Sequence, residues 1–122
     1  EVQVHCAREA SVCKYAVPEG YPEHPVRDQP IDISQVKNKE SLYFGGIDER
    51  NGRFYITGSR AVAILGRGKT ISEAEKQAEN ELRRIKGPLF HRTDIGTTEL
   101  IQKRIEIMKK LRKPLFILSE AN

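Results

Sequence analysis

The sequence predicts an α+β domain, with a small, mostly antiparallel β-structure first and two helices last. Two observations carry that expectation. The first half holds short runs rich in β-branched and aromatic residues, two of them flanking Asn51-Gly52, the strongest short hairpin signal. The second half holds two segments whose apolar residues recur every three or four positions, the period of a helix buried along one side.

The elements follow in order. "ASVCKYAV", Ala10–Val17, reads as a strand. "PEGYPEHPVRDQPIDISQVKNK" follows with four prolines, which deny donors to a ladder and mark a long loop. Leu42–Ile47 and Arg53–Thr57 form the hairpin around Asn51-Gly52. Gly45 and Gly46, inside its first run, mark a bulge or a close backbone approach. "SRAVAILG" gives a further strand. In "TISEAEKQAENELRRIKGP" the residues Ile71, Ala74, Ala78, Leu82 and Ile85 form one apolar stripe. Thr70 and Glu73 form a capping box there, and Gly87-Pro88 is expected to end the helix. Its carboxylates are expected mostly on the solvent face. "GTTELIQKRIEIMKKLRKP" repeats the pattern with Ile101, Ile105, Met108 and Leu111, capped by Thr97 or Thr98 and stopped at Pro114. The closing "LFILSEAN" is read as a short strand or a packing tail.

With 122 residues the chain suits one domain, 1–122, with a modest core. It begins at Glu1 rather than Met and is read as a piece of a longer polypeptide, with 1–9 as a linker and 113–122 as a tail. Hydrophobic residues at 38% and charged residues at 31% describe a globular chain, not a disordered one. A net charge of +4 favours anionic partners, phosphates or nucleic acid, without selecting one. No apolar run approaches the roughly 20 residues of a membrane span, and no secretory leader is visible. Cys6 and Cys13 are the only cysteines and read as ordinary thiols of a reducing cytoplasm. With His5 they match no zinc spacing, so no metal site is expected. His24 and His91 lack the neighbours of a nucleophilic triad, and no catalytic residue is assigned.

"AILGRGKTISEA" ends like a phosphate-binding P-loop, with Gly68-Lys69-Thr70 before a helix. The first glycine of that pattern falls on Ala63, and no later strand brings an acid to a magnesium ion. Thr70 is better explained as a helix cap, and Gly66 and Gly68 as a sharp strand-to-helix turn.

The same stretch is similar to the C-terminal domain of the phosphoribosylamine–glycine ligase family, also called glycinamide ribonucleotide synthetases. Gly58-Ser59-Arg60-Ala61-Val62 resembles its Gly-Gly-Arg-Val strand, and Gly66-Arg67-Gly68-Lys69-Thr70 its Gly-x-Gly/Asp-x-Thr approach to a helix. Phe90-His91-Arg92-Thr93-Asp94-Ile95-Gly96 resembles its Tyr-Arg-x-Asp-Ile-Gly. "ASVCKYAVPEGYP" and "YFGGIDERNGRFYITG" resemble two further family segments in the same order. Ser59, His91 and the Gly45-Gly46-Ile47 run depart from the family pattern.

The resemblance implies a barrel-sandwich-like β-unit with two C-terminal helices, on an ATP-grasp ligase of purine biosynthesis. Such ligases join glycine to 5-phosphoribosylamine through a glycyl phosphate. ATP and Mg (or Mn) are then held mainly by an ATP-grasp domain that this chain lacks and packs against, so the fragment alone is not expected to be active. The resemblance further implies that this domain closes the phosphoribosyl-substrate site. Arg60 and Arg92 are the expected phosphate ligands, since a guanidinium fork stays charged and donates paired hydrogen bonds. Gly45 and Gly46 are the expected close backbone neighbours, and Asp94 is expected to cap or pair with a basic residue. The alternative is a nucleic-acid-binding module using "KRIEIMKKLRK". Its case is weakened by aromatics at 7%, and by Glu99 and Glu106 in that helix.

Overall fold

The computed structural model describes residues 3–121, with side chains as far as residue 112. In chain order the elements are β1 (Ala10–Pro18), β2 (Pro30–Ile31), a single 3-10 turn (Lys39–Ser41), β3 (Leu42–Phe44), β4 (Ile47–Arg50), β5 (Arg53–Ile56), β6 (Val62–Gly68), α1 (Ile71–Leu82), β7 (Leu89–His91) and α2 (Thr98–Ala121). Of the expected linker, Glu1 and Val2 lie outside the described residues, and 3–9 form no helix or strand.

The strands form two open antiparallel sheets, one ordered β3-β6-β1-β7 and the other β2-β5-β4. The alternation in β1 sets the faces. Val12, Lys14, Ala16 and Pro18 are buried, while Cys13 and Tyr15 are exposed. Ala16 stands opposite Val62 on one side and His91 on the other, so β1 is the strand that ties β6 to β7. The core lies on the buried side of this sheet. It joins Ala16, Val62 and Ile64 to Ala78 and Leu82 of α1 and to Ile31 and Ile56 of the second sheet.

The hairpin forms at Asn51-Gly52, where both residues take positive φ (52° and 78°), as a type I′ turn requires. It is shorter than the sequence suggests. The first run breaks at Gly45-Gly46, so Leu42–Phe44 pair with β6 while Ile47–Arg50 pair with β5. The chain thus crosses from one sheet to the other, and Phe44 meets Phe54 across the gap with ring centroids 4.8 Å apart. Two short strands are not predicted from the sequence, β2 in the proline-rich loop and β7 after α1, so helices do not simply follow strands.

Helix α1 starts as predicted: the Glu73 amide donates to Thr70 Oγ1 at 3.1 Å. The Glu73 carboxylate accepts from the Lys69 amide at 2.9 Å, completing the cap one residue earlier than the standard box. Ala74, Ala78 and Leu82 are buried as expected, but Ile71 is half exposed. The helix ends at Leu82, well before Gly87-Pro88. Gly87, with φ +147°, instead turns the chain into β7 after Lys86 bridges to Asp32.

Gly66 and Gly68 do not make the expected turn; both lie inside β6. Their reason is proximity. A Cβ on Gly66 would fall 2.0 Å from the Ala74 carbonyl oxygen, so only glycine lets α1 lie this close to the strand.

Helix α2 departs most from expectation. It does not cover the sheets: Ile105, Met108 and Leu111 remain exposed. Pro114 does not stop it, and the segment read as a strand or tail is helical to Ala121. A proline removes one amide from the helix ladder, and the turns on either side carry the helix past it.

The expectation for the α1 carboxylates is also corrected. Glu79 and Glu81 are buried. Lys14, only 1% exposed, donates to Glu75 Oε1 at 3.1 Å, Glu79 Oε1 at 2.9 Å and the Thr93 carbonyl at 3.0 Å. Its three protons therefore all have acceptors. Glu79 Oε2 also accepts from Arg83 Nε at 2.6 Å and lies 2.9 Å from His91 Nε2. Glu81 accepts from the Asn38 amide at 2.8 Å, fixing the loop before β3.

Two outcomes follow. Gly66→Ala should lower unfolding stability by about 1–3 kcal/mol or more, because backbone rather than a flexible side chain must yield; chemical denaturation measures this. Burial would raise the Glu79 carboxyl, but hydrogen bonds from Lys14, His91 and Arg83 overcome it and hold it at about 2, against an ordinary 4.5. A depressed carboxyl stabilises fully above its unfolded value and loses that contribution as the pH falls toward its folded value. Glu79→Ala should therefore cost about 3–5 kcal/mol at neutral pH, as for a broken buried ion pair. That difference should shrink between pH 4.5 and about 2 in denaturation at stepped pH. A difference that does not vary with pH would refute the ionic role.

Candidate functional site

The candidate site lies on the side of the four-stranded sheet turned away from α1. Strand alternation places Cys13, Tyr15 and Val17 there, and the register brings Phe90 opposite Val17. Tyr15 is 48% exposed and Phe90 60%, an aromatic surface facing outward. With Tyr21, Arg92 and Ile95 they line a hollow of about 400 Å³.

Arg60 precedes β6. Its guanidinium carbon sits 5.0 Å from the centre of the Tyr15 ring, a cation–π contact that fixes the group without neutralising it. Among the described residues no carboxylate lies within ion-pair distance of Arg60, so its planar fork keeps its charge for another anion.

Gly45 and Gly46 set the Arg60 backbone. The Gly45 amide donates to the Ala61 carbonyl and the Gly46 amide to the Arg60 carbonyl, both at 2.7 Å. A Cβ on Gly45 would lie 2.5 Å from the Arg60 oxygen, and one on Gly46 1.9 Å from Ser59 Oγ. What approaches these glycines closely is the chain's own Ser59–Ala61 segment.

Arg92 is held differently. Its Nε and Nη2 donate to the two Asp94 carboxylate oxygens at 3.0 and 2.8 Å. The paired guanidinium holds the Asp94 carboxyl below its usual range. Asp94 thus pairs with a basic residue, and that pairing takes up both Nε and Nη2 of Arg92. The Asp94 carbonyl accepts from Thr97 Oγ1 at 2.6 Å, which joins this loop to the start of α2. Lys14 grips the same loop from below through the Thr93 carbonyl.

The two arginines are not in contact. Arg92 lines the hollow and Arg60 does not, but Arg60 packs on Tyr15, which does. The sequence reading did not single out Tyr15 or Phe90. The signal was available for Tyr15, an aromatic at an outward position of the β1 alternation. Among the described residues no three His, Cys, Asp or Glu side chains come together to hold a metal ion. Nor is there a P-loop, since Gly66 and Gly68 are filled by α1 itself.

Comparison with known proteins agrees with this architecture. The sequence pattern of the family described as phosphoribosylglycinamide synthetase, C domain, matches residues 11–98. Phosphoribosylamine–glycine ligase of Methanosarcina acetivorans is 52% identical over 109 residues, covering 89% of this chain and 24% of that protein. The ligase of Methanocaldococcus jannaschii is 47% identical over 116 residues, covering 93% and 26%. The crystal structure of the Thermotoga maritima ligase superposes with a TM-score of 0.62 at 24% identity, covering 70% of this chain and 21% of that one, which shows a shared fold. The chain spans about a quarter of the length of the curated relatives it matches. By sequence and by fold together, the chain belongs to the phosphoribosylglycinamide synthetase C-domain family.

Proposed function

We propose that this chain is the C-terminal domain of an ATP-dependent, cytoplasmic ligase that joins glycine to 5-phosphoribosylamine, giving glycinamide ribonucleotide in purine biosynthesis. The relatives named above carry the name of that activity. ATP and Mg (or Mn) belong to the ATP-grasp portion outside this chain, on which the domain packs, and no bond is made or broken by residues described here. The domain's part is to close one side of the phosphoribosyl-substrate site.

The observation that carries this reading is the Tyr15 ring, which supports the Arg60 guanidinium and also forms a wall of the hollow beside Arg92. A sugar phosphate offers a dianion and hydroxyls. Arg60 presents an unpaired fork to such a dianion, and charge-assisted bonds of that kind are short and strong. Arg92 contributes less, because Asp94 already takes two of its donors. Gly45 and Gly46 serve the substrate site as its close backbone neighbours, holding the Arg60 backbone in place. The aromatic face gives the rest of the polypeptide an apolar surface to pack on, which would exclude water from the phosphate contact.

The ranking of the two arginines is testable. In the complete enzyme Arg60→Ala should raise the KM for phosphoribosylamine by about tenfold or more, the loss of one charge-assisted contact, with the KM for ATP little changed. Arg92→Ala should act in the same direction but more weakly. Steady-state kinetics with each substrate varied in turn measures both. Equal changes for the two substrates would overturn the assignment.

A further inference from the structure

A second cleft, of about 660 Å³, shares no residue with the hollow beside Arg92. It lies between β2, the Asn51-Gly52 turn and the Lys86-Gly87 bend, and three cations line it: Lys39, Arg53 and Lys86. Among the described residues none of the three has a carboxylate within ion-pair distance, although six other basic side chains do. Three unpaired cations around one concavity repel each other, and an anion in the cleft relieves that repulsion.

The cleft is also held in shape. The Lys39 ammonium is anchored by a bond to the Val36 carbonyl at 2.9 Å, which fixes its charge while leaving protons to donate. Asp32, the one acid in the lining, accepts from the Ser34 amide at 2.8 Å; that bond, with the nearby Lys86 charge, holds its carboxyl below its usual range, so it offsets one of the three cations. The wall at Gly87 is close-packed: a Cβ there would lie 2.9 Å from the Ile31 side chain. Ile31 and Phe54 give an apolar floor, and Phe54 is braced by Phe44.

We propose that this cleft is a binding site for a small, multiply charged phosphorylated molecule, with Lys39, Arg53 and Lys86 taking the phosphates and the Ile31–Phe54 floor taking an apolar or planar portion. Three cations against the single Asp32 carboxylate leave a surplus of two positive charges, which suits a multiply charged phosphate better than one carboxylate. The volume admits a nucleotide-sized ligand. The site lies apart from Arg60 and Arg92 and does not depend on their role.

The test uses the complete polypeptide that carries this domain, methyl-labelled at isoleucine, with pyrophosphate as the probe. Pyrophosphate should shift the Ile31 methyl resonance, bind more tightly than inorganic phosphate, and weaken as salt is raised. Arg53→Ser and Lys86→Ser should each weaken the Ile31-reported affinity about tenfold, and the pair by more, since each removes a charge-assisted contact. Arg60→Ala should leave it unchanged. An Ile31 resonance that does not respond overturns the proposal. So does an affinity that is the same in the folded double variant.

Discussion

The domain depends on one buried charge. Lys14 enters the core from the middle of β1, and an ammonium cannot stay there without full compensation; the desolvation penalty for an uncompensated ion is several kcal/mol. Its three acceptors come from α1 and from the loop after β7. The requirement to satisfy one cation therefore specifies where α1 lies on the sheet and how the loop carrying Arg92 leaves it. Glu79 extends the specification, since it also binds Arg83 and contacts His91. An apolar residue at position 14 could fill the same space but would not select one arrangement of helix and loop.

Backbone proximity supplies the second constraint, and it acts at both ends of β6. Near its end, Gly66 admits α1 to direct contact. Just before its start, Gly45 and Gly46 admit the Ser59–Ala61 segment, and their amides hold it. Arg60 projects from that segment toward Tyr15. The side chain that faces solvent is thus placed by two amides from the break between β3 and β4, so its position owes little to local flexibility.

Much of this was legible in the sequence. Asn51-Gly52, the Thr70 cap and the Ala74-Ala78-Leu82 stripe are local signals, and each appears where local chemistry puts it. The missed elements are those that exist only through partners distant in sequence. Strands β2 and β7 contain two and three residues, too few for any periodicity to show, and they form because β5 and β1 offer open edges. The glycines of β6 look like turn residues because sequence cannot say what lies against them. The buried network left a trace: alternation puts Lys14 on the same face as Val12 and Ala16, and Glu75 and Glu79 stand one helical turn apart beside Ala74 and Ala78. A lysine on an apolar face calls for acids, and these were the nearest on a helix. At the candidate site, the motif positions of Arg60 and Arg92 were visible, but their differing partners, an aromatic ring for one and a carboxylate for the other, were not.

The junction at Asp94 has a mechanical meaning. Its carboxylate clamps Arg92, while its carbonyl accepts from the threonine that begins α2. At about 1.5 Å per residue, the 24 residues of α2 make an arm roughly 36 Å long. Along the part of that arm whose side chains are described, Ile105, Met108 and Leu111 leave its apolar stripe bare. One residue thus holds both the arginine of the hollow and the foot of the arm, so the two share a single point of attachment.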